Sequence, residues 1–224
     1  MNRFPLSLLF AAACVSTGAQ AQVQITEWMY NGNGPTGEYV EFTNLGSTSV
    51  DFTGWSFDDD SRVAGTVSLS AIGVLAPGAS ALITEGSEAD FRAVWGLGAG
   101  VALVGSNITN LGRADEINLF DASGTLVDRF AYGDVAFPGT VRAQNASGNP
   151  LTLADLDPFT VTPGWVLATV GDSFGSYAST LGDVGNPGSF ASVPEPGTWA
   201  LLLAGIAVVG GVARRQQRHA RAQA

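Results

Sequence analysis

The chain has 224 residues, of which 46% are hydrophobic and 13% charged, and its formal net charge is −10. All ten basic residues are arginines, and between residues 22 and 192 five of them face nineteen carboxylates. A field of that sign repels phosphate backbones and excludes nucleic acid as a partner. The 29 glycines and sparse charges favour a turn-rich, strand-rich fold over a helical bundle.

In chain order, Arg3, an apolar stretch over residues 6–15 and Ala19-Gln20-Ala21 have the layout of a signal peptide over 1–21. A small-x-small site places the cut by signal peptidase after Ala21. A lipidated Cys14 is the competing reading, but Ala11 stands where a larger aliphatic residue is usual. Cys14 is the chain's one cysteine, so the processed body has no disulfide, thiolate nucleophile or cysteine metal site.

Residues 23–30 (VQITEWMY) alternate as a strand with Val23, Ile25 and either Trp28 or Met29 inward. A dense turn, NGNGP, follows at 31–35. Residues 38–44 (EYVEFTN) form the next strand, and its two glutamates, three apart, do not share a face. Residues 50–57 (VDFTGWSF) read as a third strand with a bulge at Gly54. Weaker strands are expected near 65–70, 80–84 and 101–104. One short helix is expected over 87–96, with Ser87 capping it, Gly96 ending it, and Phe91, Val94 and Trp95 on one stripe. Residues 116–120 and 126–132 flank DASG as a hairpin. Residues 138–163 read as a long loop, 164–168 as a last strand, and the Gly/Ser-rich 171–192 as a linker. Trp28, Trp55, Trp95 and Trp165 are expected in the core, with Trp165, in its loop-rich setting, the candidate exception.

The body lacks histidine, cysteine and lysine, since His219 lies in the tail. Ser-His-Asp, Cys-His, Ser-Lys and His-metal sites are thereby excluded from it. No catalytic residue is assigned. Asp58, Asp59 and Asp60 are the candidate metal ligands, because clustered hard oxygens suit Ca²⁺. Their spacing is not that of an alternating Ca²⁺ loop, and a solvated loop end is the simpler reading. No other cofactor is expected. Two sequons, at Asn107 and Asn145, are read as chance.

The tail carries Val193-Pro194-Glu195-Pro196, then an unbroken run of apolar residues and glycine from Trp199 to Ala213, then Arg214 and Arg215. Fifteen residues rise roughly 23 Å as a helix against a hydrocarbon core of about 30 Å, which makes a marginal anchor. The arginines place the C-terminal end at the cytoplasm and the body outside. This order resembles the PEP-CTERM sorting signal of Gram-negative bacteria. The resemblance implies cleavage near the tripeptide by an exosortase, with Val193, Pro194, Glu195, Pro196, Arg214 and Arg215 as the sorting residues. It further implies a transient stay in the inner membrane, then release to the cell surface, outer membrane or exterior, in a setting of exopolysaccharide and biofilm.

Glu38-Tyr39-Val40-Glu41-Phe42-Thr43-Asn44 followed by Gly54-Trp55 resembles the lamin tail domain family, and Leu75-Ala76-Pro77-Gly78, Asn110-Leu111-Gly112 and Gly185-Asn186-Pro187-Gly188 follow in order. That resemblance implies an all-β, immunoglobulin-like β-sandwich with one short helix. The expected division is a signal peptide at 1–21, the sandwich at 22–188 and a linker at 189–192. The sorting signal follows at 193–218 with its hydrophobic helix at 198–213, and a basic end at 219–224. The leading function is a non-enzymatic surface or matrix protein whose sandwich binds exopolysaccharide or surface proteins. The alternatives are a carboxylate-based polysaccharide hydrolase and a Ca²⁺-dependent glycan-binding module.

Overall fold

The computed structural model describes residues 22–191, together with Gly205 and Ile206, which are helical. The expected signal peptide with Ala19 and Ala21, the sorting residues Val193, Pro194, Glu195, Pro196, Arg214 and Arg215, and most of the hydrophobic helix lie outside the described residues. Among the described residues no helix is long and apolar enough to cross a membrane.

In chain order the strands and helix are β1 (Val23–Met29), β2 (Tyr39–Asn44), β3 (Val50–Asp51), β4 (Ser56–Asp58), β5 (Val67–Ser68), β6 (Val74–Leu75), β7 (Ser80–Thr84), α1 (Glu88–Trp95), β8 (Ala102–Val104), β9 (Asp115–Phe120), β10 (Leu126–Tyr132), β11 (Gly148–Pro150), β12 (Trp165–Leu167), β13 (Tyr177–Ala178) and β14 (Val184–Gly185). A six-stranded sheet runs β12-β11-β1-β2-β7-β8 and a four-stranded sheet runs β10-β9-β4-β5, with β13-β14 and β3-β6 as two-stranded ribbons. The two larger sheets enclose the main core, and the immunoglobulin-like sandwich with one short α-helix is the observed fold. Among the strand pairs of the described residues β7–β8 alone is parallel, and α1 provides the crossover a parallel pair requires.

The sequence explains which faces are buried. On β2, Val40 and Phe42 enter the inter-sheet core while Tyr39, Glu41 and Thr43 point to the outer face. On β1 the register shifts between Ile25 and Glu27. That bulge inserts one residue into the alternation, so Ile25 and Trp28 both point inward and Glu27 and Met29 outward. Trp28 then meets Phe130 at 4.7 Å, Trp165 at 5.1 Å and Tyr132 at 5.3 Å between ring centroids. The outer face has its own apolar layer, in which Tyr39, Met29, Leu82 and Leu103 pack under Phe91 and Trp95 of α1. The helix begins where Ser87 Oγ accepts from the Asp90 N–H at 3.1 Å, and ends at Gly96 with φ +65°.

Three segments differ from the sequence reading. The expected strand 50–57 is broken. Asp51 Oδ1 accepts from Thr53 N–H and Thr53 Oγ1, Gly54 takes φ +80°, and the chain turns so that β3 joins a ribbon and β4 the four-stranded sheet. The expected loop 138–163 contains β11, which pairs with both β1 and β12. Trp165 is 1% exposed and belongs to the core, with its indole N–H donating to the Asp155 carbonyl at 2.9 Å. The segment read as a linker from 171 holds β13 and β14 and buries Ser176, Ser179, Asp183 and Asn186, while Phe190 packs against the core.

Gly148 shows how tightly β11 is fitted. A Cβ there would stand 2.1 Å from the Trp28 ring. Gly148→Ala is expected to lower unfolding stability by about 1–3 kcal/mol, the usual cost of overpacking. A urea denaturation curve checks it, and an unchanged midpoint would mean that β11 is not integral to the sandwich.

Candidate functional site

Six carboxylates, Glu27, Glu38, Glu41, Asp58, Asp128 and Asp183, are at most 5% exposed, and burial raises the carboxyl pKa of four of them, Glu27, Glu38, Glu41 and Asp128. None of them belongs to the four ion pairs found among the described residues. The body's arginines are engaged at the surface instead. Arg62 and Arg129 meet Glu116, Arg92 meets Glu88, Arg113 meets Asp134, and Arg142 donates to the Tyr30 hydroxyl. A buried carboxylate without a cation must be stabilised by donors or else protonated.

These four hold the chain at three joints. Asp128 on β10 accepts from the Ile25 N–H at 2.8 Å and so ties the four-stranded sheet to β1 of the six-stranded one. Glu38 accepts from Leu111 N–H at 2.5 Å and Asn107 Nδ2 at 3.1 Å, which fixes the 105–111 loop. Glu27 and Glu41 are direct cross-strand partners on the outer face of the six-stranded sheet. Glu27 Oε1 accepts from the Tyr39 hydroxyl at 2.7 Å, the Asn186 N–H at 2.9 Å and the Ser147 hydroxyl. Glu41 Oε1 accepts from Thr26 Oγ1 at 2.9 Å, and its Oε2 from the Gly188 N–H at 2.7 Å. Residues 184–190 therefore lie over the polar half of the outer face as α1 lies over the apolar half. Asp183 anchors the start of this closing segment by accepting from Asn33 N–H, Asn33 Nδ2 and Asn145 Nδ2 at 2.8–3.0 Å.

Burial is the dominant cause of raised carboxyl pKa values here. It pushes Glu38 up to about 8, with the Leu111 N–H opposing it, and Asp128 up to about 7. Burial and the neighbouring Glu27 push Glu41 up to about 8, and burial raises Glu27 as well.

The structure does not bring the expected metal ligands together. Asp58 is buried, and its Oδ2 accepts from Ser61 Oγ at 2.7 Å and from the Val63 N–H. Asp59 accepts from the Ser61 N–H at 3.1 Å, while Asp60 stands exposed. The run closes a turn, with one carboxylate facing in and one facing out. Among the described residues no group of three His, Cys, Asp or Glu side chains is disposed to hold a metal ion. Both sequon asparagines spend their amide nitrogen inside the fold, Asn107 on Glu38 and Asn145 on Asp183. Nor does the Glu27–Glu41 pair line a cleft, as both are 0% exposed. An open groove of about 510 Å³ does lie between β6, β8 and α1. Its charged side chains, Glu88 and Arg92, pair at 2.8 Å, and Arg92 also donates to the Gly98 and Val101 carbonyls. The sequence reading missed the acid pair. Its one signal was a charged residue at the centre of each of two neighbouring apolar strands.

Because the folded chain binds more protons than the unfolded one between the ordinary carboxylate range and pH 8, its stability falls as pH rises through that window. The urea midpoint of the full chain is expected to be higher at pH 5.5 than at pH 8.5. The opposite order would mean that these carboxyls are stabilised as anions.

Comparison with known proteins gives two family matches. The Lamin Tail Domain family matches residues 16–134, and the PEP-CTERM protein-sorting motif matches residues 192–218. No curated protein and no solved structure gives a significant match. The first match ends within two residues of β10, whereas β11 and β12 go on to extend the same six-stranded sheet. The second begins four residues after Gly188, whose N–H is held by Glu41. The motif marks an exported surface protein sorted by an exosortase, and the chain belongs to the lamin tail domain family.

Proposed function

We propose that the sandwich, residues 22–188, is a non-enzymatic interaction module that works at the cell surface or in an exopolysaccharide matrix once the sorting motif has been processed. The observation that carries this reading is the use of the buried acids. Glu27, Glu38, Glu41 and Asp128 each accept backbone N–H groups that fix a joint of the fold, and none faces a cleft where a substrate would sit. A glycosidase needs two carboxyls with a sugar ring between them. A closed pair under residues 186–188 leaves no such space. What the body offers a partner is an acidic, disulfide-free surface held by two cores, with a processing signal directly behind its last anchored residue.

Intact mass and fractionation of the native protein, with and without the host exosortase, test the sorting half. The product is expected to end near Pro194, Glu195 and Pro196 and to leave the inner membrane only when the exosortase is present. A mass running to Ala224 in both strains would make the tail a plain anchor. Incubation of the protein with host exopolysaccharide tests the module. Co-sedimentation without release of new reducing ends is expected, and released ends would establish a hydrolase instead.

A further inference from the structure

Glu27 and Glu41 face each other across β1 and β2, with both side chains on the outer face and both 0% exposed. Tyr39, Ser147 and Asn186 donate to Glu27 Oε1, the Asn149 side chain lies near enough to lower the pKa of the group, and Oε2 accepts no well-formed hydrogen bond among the described residues. Among the described residues no arginine pairs with either group. The titratable neighbours are phenols, Tyr39 from β2 and Tyr177 from β13, which are neutral in the physiological range. From β11 comes the uncharged Asn149 and from the residue just before it Ser147, from β1, β2 and β7 the hydroxyls of Thr26, Thr43 and Ser80, and from the closing segment the backbone of Asn186 and Gly188. The one acid near the start of that segment, Asp183, is turned to Asn33 and Asn145. Two adjacent buried carboxylates with no cation cannot both stay ionised, and Glu27 Oε2 is a buried acceptor without a donor of its own.

We infer that the Glu27–Glu41 pair holds one proton between its two carboxyls and acts as a pH-operated latch on residues 184–190, shut while the proton is held and loosened when it is lost. Each glutamate grips this segment through one backbone N–H, from Asn186 and from Gly188. Loss of the proton leaves two like charges under a segment that excludes water. The relief is to lift that segment and hydrate both groups. Burial raises both pKa values, and the neighbouring Glu27 charge helps push Glu41 up to about 8, so the proton is lost within reach of mildly alkaline conditions. The sorting motif starts four residues beyond Gly188, so the latch governs how closely the motif is tethered to the body.

Hydrogen exchange on the full chain tests this, read as protection factors corrected for the intrinsic pH dependence of exchange. Protection of the Asn186 and Gly188 amides is expected to fall by about tenfold for each unit of pH between 6 and 8, as linkage to one proton requires. The amides of Ile117 and Phe130 in the other sheet report global opening, which also frees Glu38 and Asp128, so their protection should be higher at pH 6 and fall more steeply than the one-proton slope of Asn186 and Gly188. Glu41→Gln keeps an acceptor for Gly188 and gives Glu27 a permanent donor, so it should keep the segment protected and make that protection independent of pH. Equal protection of Asn186 and Gly188 at pH 6 and 8 in the wild-type chain would overturn the proposal. So would a Glu41→Gln chain with undiminished pH dependence.

Discussion

The outer face of the six-stranded sheet must be covered, and everything at the C-terminal end of the body follows from how that is done. Tyr39, Leu82 and Leu103 require an apolar cover, and Phe91 and Trp95 of α1 supply it. Thr26, Glu27, Glu41 and Thr43 on the same face require hydrogen-bond donors, and a helix whose own N–H groups are spent cannot give them. An irregular segment can. Asn186 and Gly188 point free N–H groups at Glu27 and Glu41, and neither residue could do so from within a regular strand pair. A Gly-rich run that looks like slack in the sequence is thus the polar counterpart of the helix.

The same logic organises the rest of the sandwich. The protein has few cations and spends them on the surface, where exposed pairs such as Arg113–Asp134 add little to stability. The buried acids instead bind backbone across long separations in sequence. Asp128 joins the two sheets, Glu38 holds the 105–111 loop, and the glutamate pair holds residues 186–188. With no disulfide available, these carboxyl-to-backbone contacts supplement the aromatic cluster around Trp28 as the links between distant parts of the chain. They also make the fold sensitive to protonation in a way that surface ion pairs would not.

Much of this was legible in the sequence because it is local. Alternation placed Val23 and Ile25 inside, and Ser87 and Gly96 marked both ends of α1. The hairpin formed by β9 and β10 announced itself through its turn residues. What was not legible depends on events far apart in the chain. The bulge after Ile25, which decides that Trp28 rather than Met29 enters the inter-sheet core, leaves no composition signal. The Glu27–Glu41 pairing depends on strand register, and its cover comes from residues roughly 150 positions away. Trp165 looked exposable because its surroundings are rich in turns, yet β12 is held against β11 and its ring fills the space beside Trp28. Asp58 looked like a metal ligand because charge runs look alike before folding, and its burial shows only once the turn at 59–63 is closed.

The central claim is that a buried acid pair, carrying one proton, fastens the end of the body to its sheet. Carboxyl-carbon NMR of Glu27 and Glu41, titrated from pH 4 to 10, measures that directly. The account predicts that at pH 7 the pair carries a single proton and that the two resonances move together as it is lost near pH 8. Two independent titrations in the ordinary range near pH 4 would show both groups ionised at pH 7 and would contradict it.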